Sequence, residues 1–324
     1  MDPRQVADLS PDERRAFFER GAGVDAVRGD VRDIVDRVRD EGDAAVREFS
    51  REFDDAEVAN IDITDEAERA VDAVDDEVLA AIRESIANVR EFHEAQLPTD
   101  WTREFDDGRV LGKRFRPLDR VGVYVPGGTA AYPSSAIMGV VPAKVAGVEH
   151  VAVVTPPADE INPATLAAVH EAGADAVYSV GGAQGVAALA YGTETVTRVR
   201  KVVGPGNKWV TAAKAEVRGD VEIDFLAGPS EVLVLADETA DPAAVASDLI
   251  AQAEHDPNAS VVAVTGDEAT ADAVCAEIEE RTPERDRADT VESALDNDAS
   301  GVLVARSMPE AVLFAEEYAA EHLS

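Results

Sequence analysis

Residues 223–255 read IDFLAGPSEVLVLADETADPAAVASDLIAQAEH, a turn, a strand and a helix in one unbroken passage. Val232-Leu233-Val234-Leu235 is a short apolar run of strand type, and Asp241-Pro242 is a helix start. Polar groups stand at both ends. Ser230 lies in the tight turn before the strand, while Gln252 and His255 close the helix. A strand followed directly by a helix is the repeating unit of parallel α/β sheets. Polar groups held at its ends are placed to face a ligand.

Outward from this passage the same alternation recurs. Val121–Val125, Val151–Thr155, Ala176–Val180, Val199–Val203, Val261–Val264 and Val302–Ala305 are short runs rich in β-branched residues, separated by helical stretches. Asn162-Pro163 opens one helix, which Gly173 closes. The first hundred residues read as helices with little strand. Ser10-Pro11-Asp12-Glu13 is a capping box whose helix should end at Gly21, and Val71 to Val89 reads as one longer helix stopping before Pro98. Arg281–Ala299 is the most charged and least periodic stretch and reads as a surface excursion. At 324 residues the chain is long for one core, so two α/β lobes are expected.

The charge is extreme: 30 basic against 66 acidic residues, a formal −36, with only five lysines. Such a surface repels nucleic acid and anionic membranes, so neither is an expected partner. The acids are spread among periodic apolar positions, which argues against a disordered acidic tail. The balance reads as a folded protein adapted to high salt, where counterions relieve self-repulsion. A single cysteine, Cys275, excludes an intrachain disulfide and a cysteine-based zinc cluster. With no signal-like start and no apolar run long enough to span a bilayer, a cytoplasmic location is expected.

Four turns are rich in small residues: Tyr124-Val125-Pro126-Gly127-Gly128-Thr129, Gly181-Gly182-Ala183-Gln184, Gly204-Pro205-Gly206-Asn207 and Ala227-Gly228-Pro229-Ser230-Glu231. All four are read as following strands, at the carboxyl ends where ligands of open α/β sheets bind. None matches Gly-x-Gly-x-x-Gly, and each alone is an ordinary strand–helix turn. Polar tips on three of them, Tyr124, Gln184 and Asn207, together suggest a nucleotide pocket. Gln252 and His255 stand three apart, on one helix face. Histidine is a common zinc ligand and glutamine an uncommon one, so this pair alone does not define a metal site. Glu321-His322 offers two proton-transfer groups, provided that the pair sits where a helix has just ended. His93 shares a face with Ile86 and Val89 and reads as a core or boundary residue.

In these motifs the chain resembles the histidinol dehydrogenase family from about Ser10 onward. The most specific match is Ile223-Asp224-x-x-Ala227-Gly228-Pro229-Ser230-Glu231, with Ser247-Asp248-Leu249-x-x-Gln252-Ala253-Glu254-His255 behind it. Val121 to Gly128, the Gly181 and Gly204 turns and Glu321-His322-Leu323 match in order. The resemblance implies two incomplete Rossmann-like lobes of the aldehyde-dehydrogenase type, the second inserted in the first. An N-terminal helical arm would cover 1–22, the first lobe 23–118 and 231–324, and the NAD-binding second lobe 119–230. It implies an NAD- and zinc-dependent homodimer that oxidises L-histidinol to L-histidine through histidinal. By resemblance Tyr124, Gln184 and Asn207 contact NAD, and Ser230 contacts substrate. Gln252 and His255 ligate zinc and touch substrate, and Glu321 and His322 are the catalytic pair, His322 also touching substrate. The chain has Ala320 where the family has proline before Glu-His. It stops at Ser324, where the family continues with a segment supplying further zinc and substrate ligands and much of the dimer contact. A chain without that segment is expected to be a fragment or a truncated form.

Three rivals stay open at this point. They are a zinc- and NAD-dependent dehydrogenase of another small polyol or amino alcohol, an aldehyde dehydrogenase, and a truncated non-catalytic NAD-binding remnant. The second needs a nucleophilic cysteine, and Cys275 falls in a helical stretch. Salt adaptation has its own test. Raising KCl from about 0.1 M to about 3 M should raise the melting temperature followed by circular dichroism, because the Debye length contracts from ~10 Å to below ~3 Å. Unchanged stability in salt-free buffer would refute it.

Overall fold

The computed structural model describes residues 2–18, 24–127, 131–226 and 230–324. In chain order the elements are β1 (Arg4–Gln5), α1 (Pro11–Phe18), α2 (Val24–Glu41), α3 (Asp43–Phe53), α4 (Thr64–Ala70), α5 (Asp76–Ala95), β2 (Trp101–Glu104) and β3 (Val110–Lys113). Next come β4 (Arg120–Tyr124), α6 (Pro133–Val145), β5 (His150–Thr155), α7 (Pro163–Ala172), β6 (Ala176–Ser179), α8 (Gly182–Tyr191), β7 (Lys201–Val203), α9 (Lys208–Val217) and β8 (Glu222–Ile223). The chain closes with β9 (Glu231–Ala236), α10 (Pro242–Ala253), β10 (Ser260–Thr265), α11 (Glu268–Arg281), α12 (Ala288–Leu295), β11 (Gly301–Val304), α13 (Met308–Tyr318) and β12 (His322–Leu323). Two compact units result: Gly23–Leu226, and Met1–Ala22 together with Ala227–Ser324. The first of these is therefore inserted within the second, as expected for this α/β architecture.

In the inserted unit five parallel strands run in the order β6-β5-β4-β7-β8, so the order reverses beside β4. Both faces are covered, which is why the strands read as continuous apolar runs. On one face Ala152, Val154 and Val202 pack with Val31, Ile34, Val35 and Val38 of α2 and with buried residues of α8 and α9. On the other, Val121, Val123, Val151 and Val153 pack with α4, α5, α6 and α7. Helix α8 lies so close to the sheet that a Cβ on Gly122 would meet Leu189 Cδ1 at 2.8 Å. The β2–β3 hairpin is antiparallel and exposed throughout.

The other unit is also an all-parallel sheet, ordered β1-β11-β10-β9-β12. Val232, Val234, Val261 and Val302 face α10, α11 and α12, while Leu233, Val262, Val264 and Leu303 face Phe17 of α1 and Phe314 and Tyr318 of α13. The capping box is present, with Ser10 N donating to Glu13 Oε2 at 2.9 Å and Glu13 N to Ser10 Oγ at 3.3 Å. Gly21, expected to end α1, lies outside the described residues.

Every strand expected from the β-branched runs forms. Other expectations need correction. Residues 23–118, assigned by resemblance to the lobe of 231–324, instead build the unit of 119–226, because the apolar stripes of α2 to α5 are buried against α6 to α9. The single helix from Val71 to Val89 is broken by a 3-10 turn, Val71–Ala73, and Val74 takes an extended ψ of 138° before α5 begins. Arg281–Ala299 is no simple excursion, since it contains α12, which inserts Val291 and Ala294 into the core. Strands β1, β8 and β12 have two residues each, too short to show a period.

Leu189 is fully buried beneath Gly122. Leu189→Ala should cost about 3 kcal/mol of stability through lost burial and a residual cavity, read as a shift in the urea midpoint at unchanged slope.

Candidate active site

The sequence-selected residues gather at two sheet edges, one in each unit. In the inserted unit they stand at the carboxyl ends of the strands, beside the reversal at β4, where open α/β sheets form a crevice. Tyr124 ends β4 and is buried. Its hydroxyl accepts the backbone N–H of Gly182, the first residue of α8, at 3.0 Å. Burial pushes the phenol well above its ordinary pKa, with the Gly182 N–H pulling weakly the other way, so it stays protonated. Gln184 is the third residue of α8, is 1% exposed, and donates Nε2–H to Asp54 Oδ2 at 3.3 Å. Asn207 is exposed, and its side chain caps α9 by accepting from Trp209 N at 3.0 Å and Val210 N at 3.2 Å. All three thus have a local hydrogen-bonding duty.

The turn carrying Asn207 is held against β4. Gly204 has φ +110°, and a Cβ there would meet the Tyr124 carbonyl oxygen at 2.1 Å, so only glycine lets the two strand ends come this close. Beneath it, the Lys214 side chain is 3% exposed and its ammonium donates to the Gly204 carbonyl at 2.7 Å and to Asp224 Oδ1. Asp224 Oδ2 in turn accepts Gly204 N–H at 2.8 Å. A buried lysine–aspartate pair therefore grips both backbone groups of one glycine. Such a cradle, with an exposed polar tip and no Cβ at its neck, suits close approach of a nucleotide to backbone.

Asp54 is the member that the sequence reading missed. It follows α3 as its C-cap, its N–H donating to Ser50 O at 3.1 Å. Burial raises its carboxyl from the ordinary 3.8 to about 6. A signal was present in Phe53-Asp54-Asp55, because paired acids oppose the helix dipole at a C-terminus.

In the other unit the candidates collect at the amino edge of the sheet. Ser230 stands directly before β9, and residues 227–229 of the turn that carries it lie outside the described residues. Ser230 O accepts Ser260 N–H at 3.1 Å, fixing Ser230 beside the start of β10. Gln252 lies in the last turn of α10, and His255 comes just after that helix, exposed, with its N–H on the Gln252 carbonyl at 3.2 Å. Helix α13 ends at Ala319, a left-handed residue with φ 49° and ψ 56°. This abrupt stop delivers Glu321 and His322 directly after the helix, as the proton-transfer reading requires. His322 then pairs in parallel with Val232, next to Ser230, and both Glu321 and His322 are exposed. Among the described residues no group of three or more His, Cys, Asp and Glu could hold a metal. His93 is partly buried near the end of α5, as a boundary residue would be.

Cys275 is buried in α11, and burial pushes its thiol up to about 11. It does not serve as the nucleophile an aldehyde dehydrogenase needs.

Comparison with known proteins bears on both edges. The sequence profile of histidinol dehydrogenases matches residues 19–324. Histidinol dehydrogenase of Halobacterium salinarum is 71% identical over the whole chain, which spans 76% of that relative, and that of Haloarcula marismortui is 69% identical with the same coverage. The crystal structure of histidinol dehydrogenase from Elizabethkingia anophelis superposes with a TM-score of 0.82 at 33% identity, covering 99% of this chain and 71% of that one.

The Lys214–Asp224 pair gives a direct test of the cradle. Lys214→Met alone should destabilise by about 3–5 kcal/mol, because it strands a buried carboxylate. Adding Asp224→Asn should recover much of that loss, since an amide can still accept Gly204 N–H. Urea unfolding of the single and double variants measures the coupling.

Proposed function

The chain belongs to the histidinol dehydrogenase family, a family of oxidoreductases, and from that premise we propose that it oxidises L-histidinol to L-histidine in histidine biosynthesis, with NAD as hydride acceptor and histidinal as intermediate. The observation that carries the reading is the family match over residues 19–324, which takes in every motif of both sheet edges. In this reading Tyr124, Gln184 and Asn207 form the dinucleotide subsite, and Ser230 with His255 and Gln252 forms the substrate subsite.

Tyr124, Gln184 and Asn207 would hold NAD, which would supply the hydride acceptor when bound. His322 acts as base, removing the hydroxyl proton as the carbinol C–H bond breaks, so that an aldehyde forms. Glu321 accepts a proton from the water that adds to this aldehyde, while protonated His322 returns its proton to the carbonyl oxygen, giving the hydrate and a neutral imidazole. His322 then deprotonates the hydrate while a second hydride leaves to a second NAD, and the carboxylate of histidine results. Exposed positions on a two-residue edge strand and just before it leave both side chains open to a substrate alcohol and to water.

Gln252 and His255 are the proposed zinc donors of this chain. Two donors from one helix end do not fill a tetrahedral zinc site, which takes three or four protein ligands. No step is therefore drawn through the metal. A homodimer is the proposed assembly, and it would cover the exposed apolar side chains Trp101, Val110, Leu111 and Phe115 on and beside the hairpin. No helix among the described residues is long and apolar enough to cross a membrane, in keeping with the cytoplasmic location proposed here.

The test is NADH formation with L-histidinol and with simple diols, together with zinc content and oligomeric mass. Histidinol should be the preferred substrate, and His322→Ala should lower kcat at least ~100-fold with little change in KM. Equal rates on diols would identify a dehydrogenase of other small alcohols. NAD binding without turnover under every zinc loading would identify a binding remnant.

A further inference from the structure

Two buried polar networks share the short helix α3. At its start Asp43 accepts from the hydroxyls of Thr193 and Thr195, and its own N–H donates to Glu194 Oε2 at 2.8 Å. Gly42, just before it, has φ +59°, and a Cβ there would lie 2.3 Å from Glu194 Oε2. The loop after α8 thus locks the helix in place. Its other end delivers Asp54 to Gln184, at the beginning of α8. The Gln184 carbonyl lies against Gly182, where a Cβ would meet Oε1 at 2.6 Å, and the Gly182 N–H is held by the Tyr124 hydroxyl. Side chains from β4 and α8 therefore converge on one glycine at the helix N-terminus, and Asp54 at the end of α3 stands behind the second of them.

A carboxylate is an odd choice if this contact only fastens α3, because asparagine would fit the same space without a buried charge. Asp54 instead leaves Gln184 one possible orientation. An ionised carboxylate only accepts, so the Gln184 amide must point its NH2 toward Asp54 and its carbonyl toward Gly182. We propose that Asp54 is a positioning residue of the dinucleotide subsite, setting the orientation of the Gln184 amide and with it the donor–acceptor pattern that the subsite offers to NAD. This rests on the reading of Tyr124 and Gln184 as dinucleotide residues.

Protonation gives the device a pH dependence. A protonated Asp54 donates, the Gln184 amide can turn over, and the acceptor pattern at Gly182 is lost. Few other charges face it. From β4 comes the Tyr124 phenol, which stays protonated. Helix α8 carries no acid or base apart from Tyr191 at its far end. On α3 itself Arg51 lies 4.0 Å from Glu57, and Glu52 and Asp55 are exposed. Burial is accordingly the one cause of the raised Asp54 carboxyl. The sign for stability is opposite to that for binding. A carboxyl raised from 3.8 to about 6 favours the fold when protonated, so this contribution is lost as pH rises through that window.

The experiment is NAD titration of the full chain by isothermal calorimetry between about pH 5 and pH 8, with melting temperatures at each pH. Wild type should lose affinity roughly 10-fold toward the acid end, with a midpoint near the Asp54 value of about 6. Asp54→Asn should bind NAD weakly and without that transition, while melting at or above the wild-type temperature at neutral pH. An Asp54→Asn chain with wild-type affinity and an unchanged pH profile overturns the proposal. Gln184→Ala and Tyr124→Phe separate the two levels. If they leave NAD binding intact, the assignment of the subsite itself fails. If they weaken binding while Asp54→Asn does not, only the role of Asp54 falls.

Discussion

Covering both faces of a parallel sheet uses up the side chains of its strands. In each unit the central strands β4, β5, β9 and β10 point alternate residues into two apolar layers, leaving almost no strand position free for polar work. Chemistry is therefore confined to strand ends and the turns joined to them. The inserted unit uses the carboxyl edge, where Tyr124 and the Gly204 turn flank the reversal of strand order. The other unit uses the amino edge, where Ser230, the segment after α10 and the edge strand β12 come side by side. One fold rule thus leaves candidate residues at opposite edges in the two units, because those of the second stand at Ser230 just before β9 and in the segments just past α10 and α13.

Strands and helices were legible in the sequence because full burial writes a continuous apolar signal. The runs at Val151–Thr155 and Val261–Val264 correspond to β5 and β10 almost residue for residue. The helix starts at Asn162-Pro163 and Asp241-Pro242 carry the expected caps, Asn162 accepting from Ala164 N at 2.9 Å and Asp241 from Ala243 N at 3.0 Å. Features whose cause is tertiary stayed hidden. β12 has no period of its own and exists because Ser324 N–H finds the Leu233 carbonyl at 3.1 Å. The grouping of 23–118 depends on which sheet its apolar stripes meet, and a stripe does not name its partner.

Site residues divided along the same line. Glu321-His322 was recognisable by its chemistry, and the left-handed Ala319 accounts for how the pair is released from a helix. Tyr124 and Gln184 were chosen as polar tips, yet both are buried and act through Gly182. Asp54 escaped notice because its contact to Gln184 spans 130 residues of sequence, and its perturbation comes from burial alone. Lys214 carries no distinguishing signal in the sequence, although it is the cation that fixes the Gly204 turn.

That lysine divides the electrostatics of the molecule into two regimes. The acid-rich surface belongs to the solvent, and its self-repulsion rises and falls with dissolved ions. The pair of Lys214 with Asp224 is largely withdrawn from solvent, its ammonium side chain 3% and its carboxylate side chain 17% exposed, so dissolved ions screen it far less. Ionic strength can therefore alter how firmly the chain stays folded while the spacing of the Gly204 turn against Tyr124 stays constant. A protein arranged this way meets changing brine with a variable exterior and an invariant turn at the strand ends.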